Sequence, residues 1–313
     1  MKILCIGEAL IDMICTDKGK TLSDGENFLK RPGGAPTNVA AAIAALGGEV
    51  DLAAKVGIDP FGKHLMDVMK SFGVNTKWML QDANTFTTFA FVSLMENGER
   101  DFYFNRGADG QLSKEEVDAI DLTDVSIVHF GSATGFLPGP LQEAYLHLLL
   151  KAKQQNCFIS FDPNYRQLLF QNNKESFNIQ SWNFLLNCKF FKVSDEEALM
   201  LTNTLTVEEA AAVFHQKTKA VFAITIGKEG TMLGIYGETH IVPSIEVKPV
   251  DTTGAGDAFV GAVLYQLTDK TKNKLTVSEW KTIITNGNKA GARTCEYLGA
   301  MEAFKHLSSD IFN

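Results

Sequence analysis

In the stretch Val250-Asp251-Thr252-Thr253-Gly254-Ala255-Gly256-Asp257-Ala258-Phe259, two closely spaced glycines precede a carboxylate and an apolar run. Glycine lets backbone approach a ligand closely, and Ala258 to Leu267 has the composition of a buried helix. A helix beginning at the glycines points unpaired N–H groups and the positive end of its dipole outward, which suits a phosphate. A carboxylate beside that cradle repels an anion, so Asp257 fits a second task, that of proton acceptor. A hydroxyl attacking a terminal phosphate must lose its proton. Asp257 would take it while the N–H groups of Gly254, Ala255 and Gly256 stabilise the transferred charge. Asp251 and Asp257 also read simply as an N-cap and a first-turn acid flanking a glycine turn.

Other stretches offer chemistry of the same kind. Asp12 follows the first apolar run; it reads either as an acceptor for two neighbouring hydroxyls or as a solvated strand-end acid. Gly33 and Gly34 allow backbone N–H groups near a polyol, and Asn38 offers a donor and an acceptor at a helix start, or a plain N-cap. Arg106 and Arg166 stand where a hairpin and a strand end; they face a shared crevice or serve as surface ion-pair partners. Ser194 with Glu197 has the spacing of a capping box. Gly57 to Lys63 is spelled like a phosphate-binding loop, but His64 stands where a hydroxyl should hold magnesium, Pro60 removes an N–H and Asp59 opposes phosphate. A tight strand-to-helix loop is the better reading there.

The elements that position these groups follow a βαβ rhythm. Strands are predicted at 2–7, 50–56, 127–130, 158–162, 190–193, 220–226 and 231–236, and helices at 39–46, 64–72, 139–155, 208–217, 258–267, 278–295 and 300–307. Ser113 to Glu116 spells a further capping box. The rhythm breaks at 85–105, where alternating residues flank an Asn97-Gly98 turn signal, the pattern of an antiparallel hairpin. With residues 13–31 it would form a small sheet standing off the parallel core as a lid.

The chain has 313 residues, 45% of them hydrophobic, enough for one large α/β unit or two smaller ones. A net charge of −8 argues against nucleic acid or an anionic membrane as partner, so any phosphate site is local. The first apolar run is too short for a signal peptide and no run reaches membrane-spanning length, which predicts a cytoplasmic protein. Five scattered cysteines without CxxC spacing point to reduced core residues.

Val250 to Phe259 resembles the second signature of the PfkB (ribokinase-like) family of sugar and nucleoside kinases, and Gly33 to Ala40 resembles the first. Thr225-Ile226-Gly227-Lys228-Glu229-Gly230 is similar to the family's T-x-G-x-x-G segment, whose implied role is contact with the phosphates and ribose of ATP; a glycine turn between two strands explains it equally well. The resemblance, in family order along nearly the whole chain, implies a ribokinase-like three-layer αβα sandwich with a mainly parallel sheet and a β lid, as a single domain over 1–313. It is strongest to fructokinases, where Arg106 and the Asp162-Pro163-Asn164-Tyr165-Arg166 segment would line the sugar and phosphoryl-transfer site and Lys192 the nucleotide side. Glu197 matches the acid of the family's magnesium-associated N-x-x-E motif, although Ser194 replaces the Asn. Asn288 and the loop to Ala300 resemble the adenine-side helix and, with Asp251 and Thr253, a monovalent-cation loop; Asn288 equally reads as a helix-surface amide.

The expected activity is therefore ATP- and magnesium-dependent phosphorylation of a sugar, fructose first, with a potassium-like ion assisting. The rivals are 2-keto-3-deoxygluconate kinase, ribokinase, nucleoside kinase and a non-catalytic sugar-binding protein on the same fold. The lid's edges would pair with a second copy to give a homodimer.

Overall fold

The computed structural model describes residues 1–95, 100–131, 133–271 and 273–312; the Asn97-Gly98 turn signal lies outside them. The strands are β1 (Lys2–Ile6), β2 (Leu10–Cys15), β3 (Phe28–Gly33), β4 (Val50–Gly57), β5 (Met79–Asp82), β6 (Phe89–Leu94), β7 (Arg100–Asn105), β8 (Val125–Gly131), β9 (Phe158–Asp162), β10 (Phe190–Ser194), β11 (Val221–Thr225), β12 (Thr231–Ile235) and β13 (Glu238–Val242). The helices are α1 (Ala35–Ala45), α2 (Pro60–Phe72), α3 (Lys114–Asp118), α4 (Pro140–Gln154), α5 (Gln167–Phe170), α6 (Lys174–Leu185), α7 (Asp195–Thr202), α8 (Val207–Lys217), α9 (Ala255–Leu267), α10 (Val277–Thr294) and α11 (Ala300–Phe304).

Nine strands form the central sheet in the order β13-β12-β11-β10-β9-β8-β1-β4-β5. From β5 to β11 neighbouring strands are parallel, and β12 and β13 close one edge antiparallel. One apolar core, holding Val39, Ile43, Phe259 and Ile284, packs α1, α9 and α10 on one face of the sheet. A second, rich in aromatics such as Phe130, Phe161 and Phe184, packs α4, α6, α7 and α8 on the other. Helices on both faces explain why the strands read as continuous apolar runs. A second sheet, ordered β3-β2-β6-β7, stands apart from the nine.

Several boundaries move for local reasons. Helix α1 begins at Ala35, not Val39, because Pro36 sits in its first turn, where a missing N–H costs nothing. Helix α2 begins at Pro60 in the same way, with Asp59 Oδ1 capping Phe61 N at 2.9 Å and Gly62 N at 2.8 Å. The segment spelled like a phosphate loop is thus a capped strand-to-helix turn, and its acid is spent on the helix. Strand β6 starts at Phe89 because Thr87 N donates to Asp59 Oδ2 at 2.7 Å and Thr88 turns inward to Asp109. The small sheet also reaches further than 13–31, from Leu10 to Gly33. Strands β5 and β13 and helices α5 and α6 are additional to the predicted set. Glu238 and Thr239 of β13 are exposed and polar, which masks a strand of this kind in hydropathy.

Candidate active site

The C-terminal ends of β1, β4, β8, β9, β10 and β11 lie along one edge of the parallel sheet, the edge at which ligands bind in open sheets of this kind. Two helix N-termini reach it. Helices α1 and α9 cross tightly at Gly261, where a Cβ would lie only 2.8 Å from that of Ala42. That crossing brings Asn38, in the first turn of α1, against Asp257, in the first turn of α9. Asn38 Nδ2 donates to Asp257 Oδ2 at 2.8 Å.

Asp257 is 8% exposed. Burial raises its pKa above the ordinary aspartate value, while the Asn38 hydrogen bond and the charges of Arg166 and Lys192 pull it back. The cradle before it depends on Gly254, the N-cap of α9, whose φ of +82° is left-handed and whose missing side chain leaves room for Ala300. Gly256 lies over the Lys192 ammonium, 3.2 Å from where its Cβ would be.

Below the cradle, Lys192 Nζ pairs with Asp162 Oδ2 at 3.2 Å across β10 and β9. Burial alone would lower the Lys192 pKa, but the carboxylates of Asp162, Glu197 and Asp257 outweigh it and hold the ammonium charged. Burial pushes Asp162 upward against the pull of Lys192. Asp162 Oδ1 accepts from Asn164 N at 3.2 Å, and Asn164 takes a left-handed φ of +48°. Among the described residues, Asn38 Oδ1 and Asn164 Nδ2 are buried polar atoms without a hydrogen-bond partner. Such orphans are what a ligand satisfies.

Asp12 lies mid-strand in β2 rather than at a strand end, opposite Arg31 of β3 and beside Gly33. Burial raises its pKa to about 6, and Arg166 lowers it in part. Arg166, at the N-cap of α5, is exposed and donates to Tyr165 O at 3.2 Å; its charge lowers the pKa of Asp12, Glu8 and Asp257, so it lies within electrostatic reach of all three. Arg106 is placed differently. Its guanidinium donates to Pro138 O at 2.9 Å and Thr134 O at 3.3 Å and pairs with Asp109 at 3.6 Å, so it braces loops.

Glu197 closes the capping box of α7, accepting from Ser194 N at 2.8 Å, and its other oxygen accepts from Tyr165 N at 2.7 Å. It therefore holds the Asp162–Arg166 segment in place. Thr225 ends β11, donating to Val193 O at 3.4 Å, and Gly227 and Gly230 form the turn into antiparallel β12. Asn288 is no surface amide: Thr231 Oγ1 donates to its Oδ1 at 2.6 Å, and its Nδ2 donates to Val242 O at 2.9 Å and Pro243 O at 3.2 Å. Asp251 accepts from Thr253 N at 3.0 Å, Thr253 Oγ1 at 2.7 Å and Gly299 N at 2.8 Å. Burial opposes these bonds, but they win and lower its pKa.

Glu8 was not anticipated. It follows β1, is fully buried, and accepts from Ala35 N at 3.0 Å. Burial raises its carboxyl to about 7. The only sequence signal is a charge interrupting the apolar run Ile6-Gly7-Glu8-Ala9-Leu10-Ile11.

A buried carboxylate at a helix N-terminus, on the strand C-terminal edge of a three-layer αβα sandwich with a small added sheet, defines a ribokinase-like kinase. Comparison with known proteins agrees. Residues 1–306 match the profile of the pfkB family carbohydrate kinases. Probable fructokinase-4 of Arabidopsis thaliana is 34% identical over 305 residues, 96% of this chain and 93% of that protein. A crystal structure of a putative ribokinase II from E. coli superposes with a TM-score of 0.86 at 25% identity, covering 99% of this chain and 97% of that one. A fructokinase double mutant from Vibrio cholerae O395, in its fructose-, ADP- and potassium-bound form, superposes with a TM-score of 0.83 at 27% identity, covering 99% and 96%. The chain belongs to the pfkB family of carbohydrate kinases. It is an ATP-dependent sugar kinase. Among the described residues, no helix is long and apolar enough to cross a membrane.

Proposed function

We propose that this kinase is a fructokinase, transferring the γ-phosphate of ATP to a primary hydroxyl of fructose with Asp257 as general base. The observation that carries the reading is the Asn38–Asp257 hydrogen bond at the meeting of two helix N-termini, within electrostatic reach of Arg166. A carboxylate held there by one neighbour keeps its second oxygen for a substrate hydroxyl. Asp12, Gly33, Gly34, Asn38 and Asn164 would bind the sugar hydroxyls, with Asp162 fixing the turn that carries Asn164. As Asp257 accepts the proton, the N–H groups of Gly254 to Gly256 and the Arg166 guanidinium stabilise charge on the transferred group.

Thr225, Gly227 and Gly230 would flank the nucleotide, Lys192 would support the cradle from beneath, and Asn288 and Arg106 would act by bracing the loops around the two ligands. Among the described residues no cluster of His, Cys, Asp or Glu could hold a metal alone, which suits a magnesium ion carried by ATP phosphates and water, with Glu197 reached through water. Magnesium would neutralise phosphate charge. A monovalent cation is assigned to the loop that Asp251 and Thr253 tie to Gly299.

The small sheet would act as a lid on a single kinase domain, excluding water during transfer. Ile14, Leu29, Leu94 and Tyr103 on its strands are 36–60% exposed, which supports pairing of two lids in a homodimer; a monomer by light scattering at micromolar concentration would oppose it. The assigned compartment is the cytoplasm.

Coupled ADP release with ATP, magnesium and potassium tests the substrate, using fructose, ribose, 2-keto-3-deoxygluconate, adenosine and fructose 6-phosphate. Turnover confined to fructose is expected. Turnover on another acceptor instead would move the assignment to that branch of the family, and silence on all five would contradict it.

A further inference from the structure

Hydrogen bonds and one ion pair connect the root of the β6–β7 hairpin with the first turn of α1. Thr88 Oγ1 donates to Asp109 Oδ1 and accepts from Gly107 N at 2.9 Å. Asp109 Oδ2 pairs with Arg106 Nε at 3.6 Å, and Arg106 donates to the carbonyl of Thr134 at 3.3 Å. Thr134 Oγ1 in turn donates to Glu8 Oε2 at 3.4 Å. Glu8 Oε1 accepts from Ala35 N at 3.0 Å, and its carbonyl accepts from Thr37 Oγ1 at 2.7 Å. Glu8, Thr88, Asp109 and Thr134 are each at most 1% exposed.

Helix α1 needs such an outside acceptor because its N-cap is Gly34, which has no side chain to satisfy a first-turn N–H. One residue past Thr37 stands Asn38, the partner of Asp257.

We propose that Glu8 is a positioning residue for phosphoryl transfer: its carboxylate pins the first turn of α1 and thereby holds Asn38 on Asp257 in step with the root of the lid. The inference rests on the assignment of Asp257 as base. Glutamine can replace both contacts, since its amide oxygen accepts from Ala35 and its amide nitrogen can donate to the Thr134 hydroxyl. Alanine can replace neither.

The test has two arms on the full-length protein. Hydrogen exchange by mass spectrometry, without substrate, should show protection of residues 34–40 and of the hairpin root at 86–88 and 105–110 falling about tenfold in Glu8→Ala and staying within about threefold in Glu8→Gln. In steady-state kinetics, Glu8→Ala should lower kcat about tenfold or more, leave the KM for ATP within about twofold, and cost less than about twofold further in an Asn38→Ala background. If Glu8→Ala does not fold, Thr134→Val takes its place in both arms, with a smaller loss in the same segments and the same non-additivity. Additive costs, equal behaviour of the alanine and glutamine variants, or unchanged exchange would overturn the proposal. The exchange arm needs no turnover, so failure of the kinase assignment and failure of the Glu8 role are read separately.

Discussion

The two ends of the central sheet differ in what they bury. At the N-terminal ends of its parallel strands lies an open groove of about 800 Å3, lined by Val125, Phe158, Val221 and Trp280 with Lys189 and Lys270. At the C-terminal ends, Glu8, Asp162, Lys192, Glu197 and Asp257 are all buried. Taking a charge out of water costs several kcal/mol unless partners compensate, and here the Lys192 ammonium is held charged by the carboxyls around it. On the proposed assignment of Asp257, buried and oriented titratable groups mark the chemical end of this sheet, and open volume does not.

Substitutions at the two ends sharpen or break that contrast. The largest effect is expected from Asp257→Asn, which keeps a contact to Asn38 but removes the base; kcat should fall about 10²- to 10⁴-fold with the fold retained by circular dichroism. Next is Arg166→Gln, expected to cost about tenfold or more in kcat/KM. Its charge lowers the raised pKa of Asp257, so its loss should move the acid limb of the kcat/KM profile to higher pH, because the base works ionised. A limb that stays put would separate Arg166 from Asp257.

Glu8→Gln probes stability. In the folded protein the Glu8 carboxyl titrates near 7 instead of 4.5, so the native state holds its proton to higher pH and wild-type stability falls as pH rises through that window. Removing the titration should raise the unfolding free energy by about 1 to 3 kcal/mol at pH 8 and leave it unchanged near pH 4.5, by thermal melts at both. The smallest effect belongs to the other end: Lys270→Ala in the groove should change kcat/KM by less than about twofold. A larger loss there would erase the contrast.

What was legible in the chain was local. The glycine cradle, the run of α9, the alanine-rich α1 and the capping boxes at Ser113 and Ser194 depend on neighbours within one or two turns, and they stand nearly where their spelling puts them. Contacts set by strand register were not. Lys192 meets Asp162 because Phe190 pairs with Ser160 in parallel strands, a fact of the sheet rather than of either segment. The carbonyls that bind Arg106 lie at Thr134 and Pro138, on the loop between β8 and α4, a pairing that no spacing around Arg106 announces. Glu8 and its partner Ala35 are 27 residues apart, which leaves no periodicity to find. The small sheet was visible as a break in rhythm, but its edge at Phe89 follows from Thr87 and Thr88 turning inward, and its edge at Leu10 from pairing with Gly33 of β3.

The central claim, that phosphoryl transfer happens at Asp257 on the strand C-terminal edge, is tested most directly by a crystal structure with fructose and a non-hydrolysable ATP analogue. A primary hydroxyl of fructose is expected within about 2.6–3.2 Å of Asp257, in line with a γ-phosphate on the amides of residues 254–256. A sugar whose hydroxyls all point away from Asp257, or a ligand pair seated in the groove at the opposite end, would contradict it.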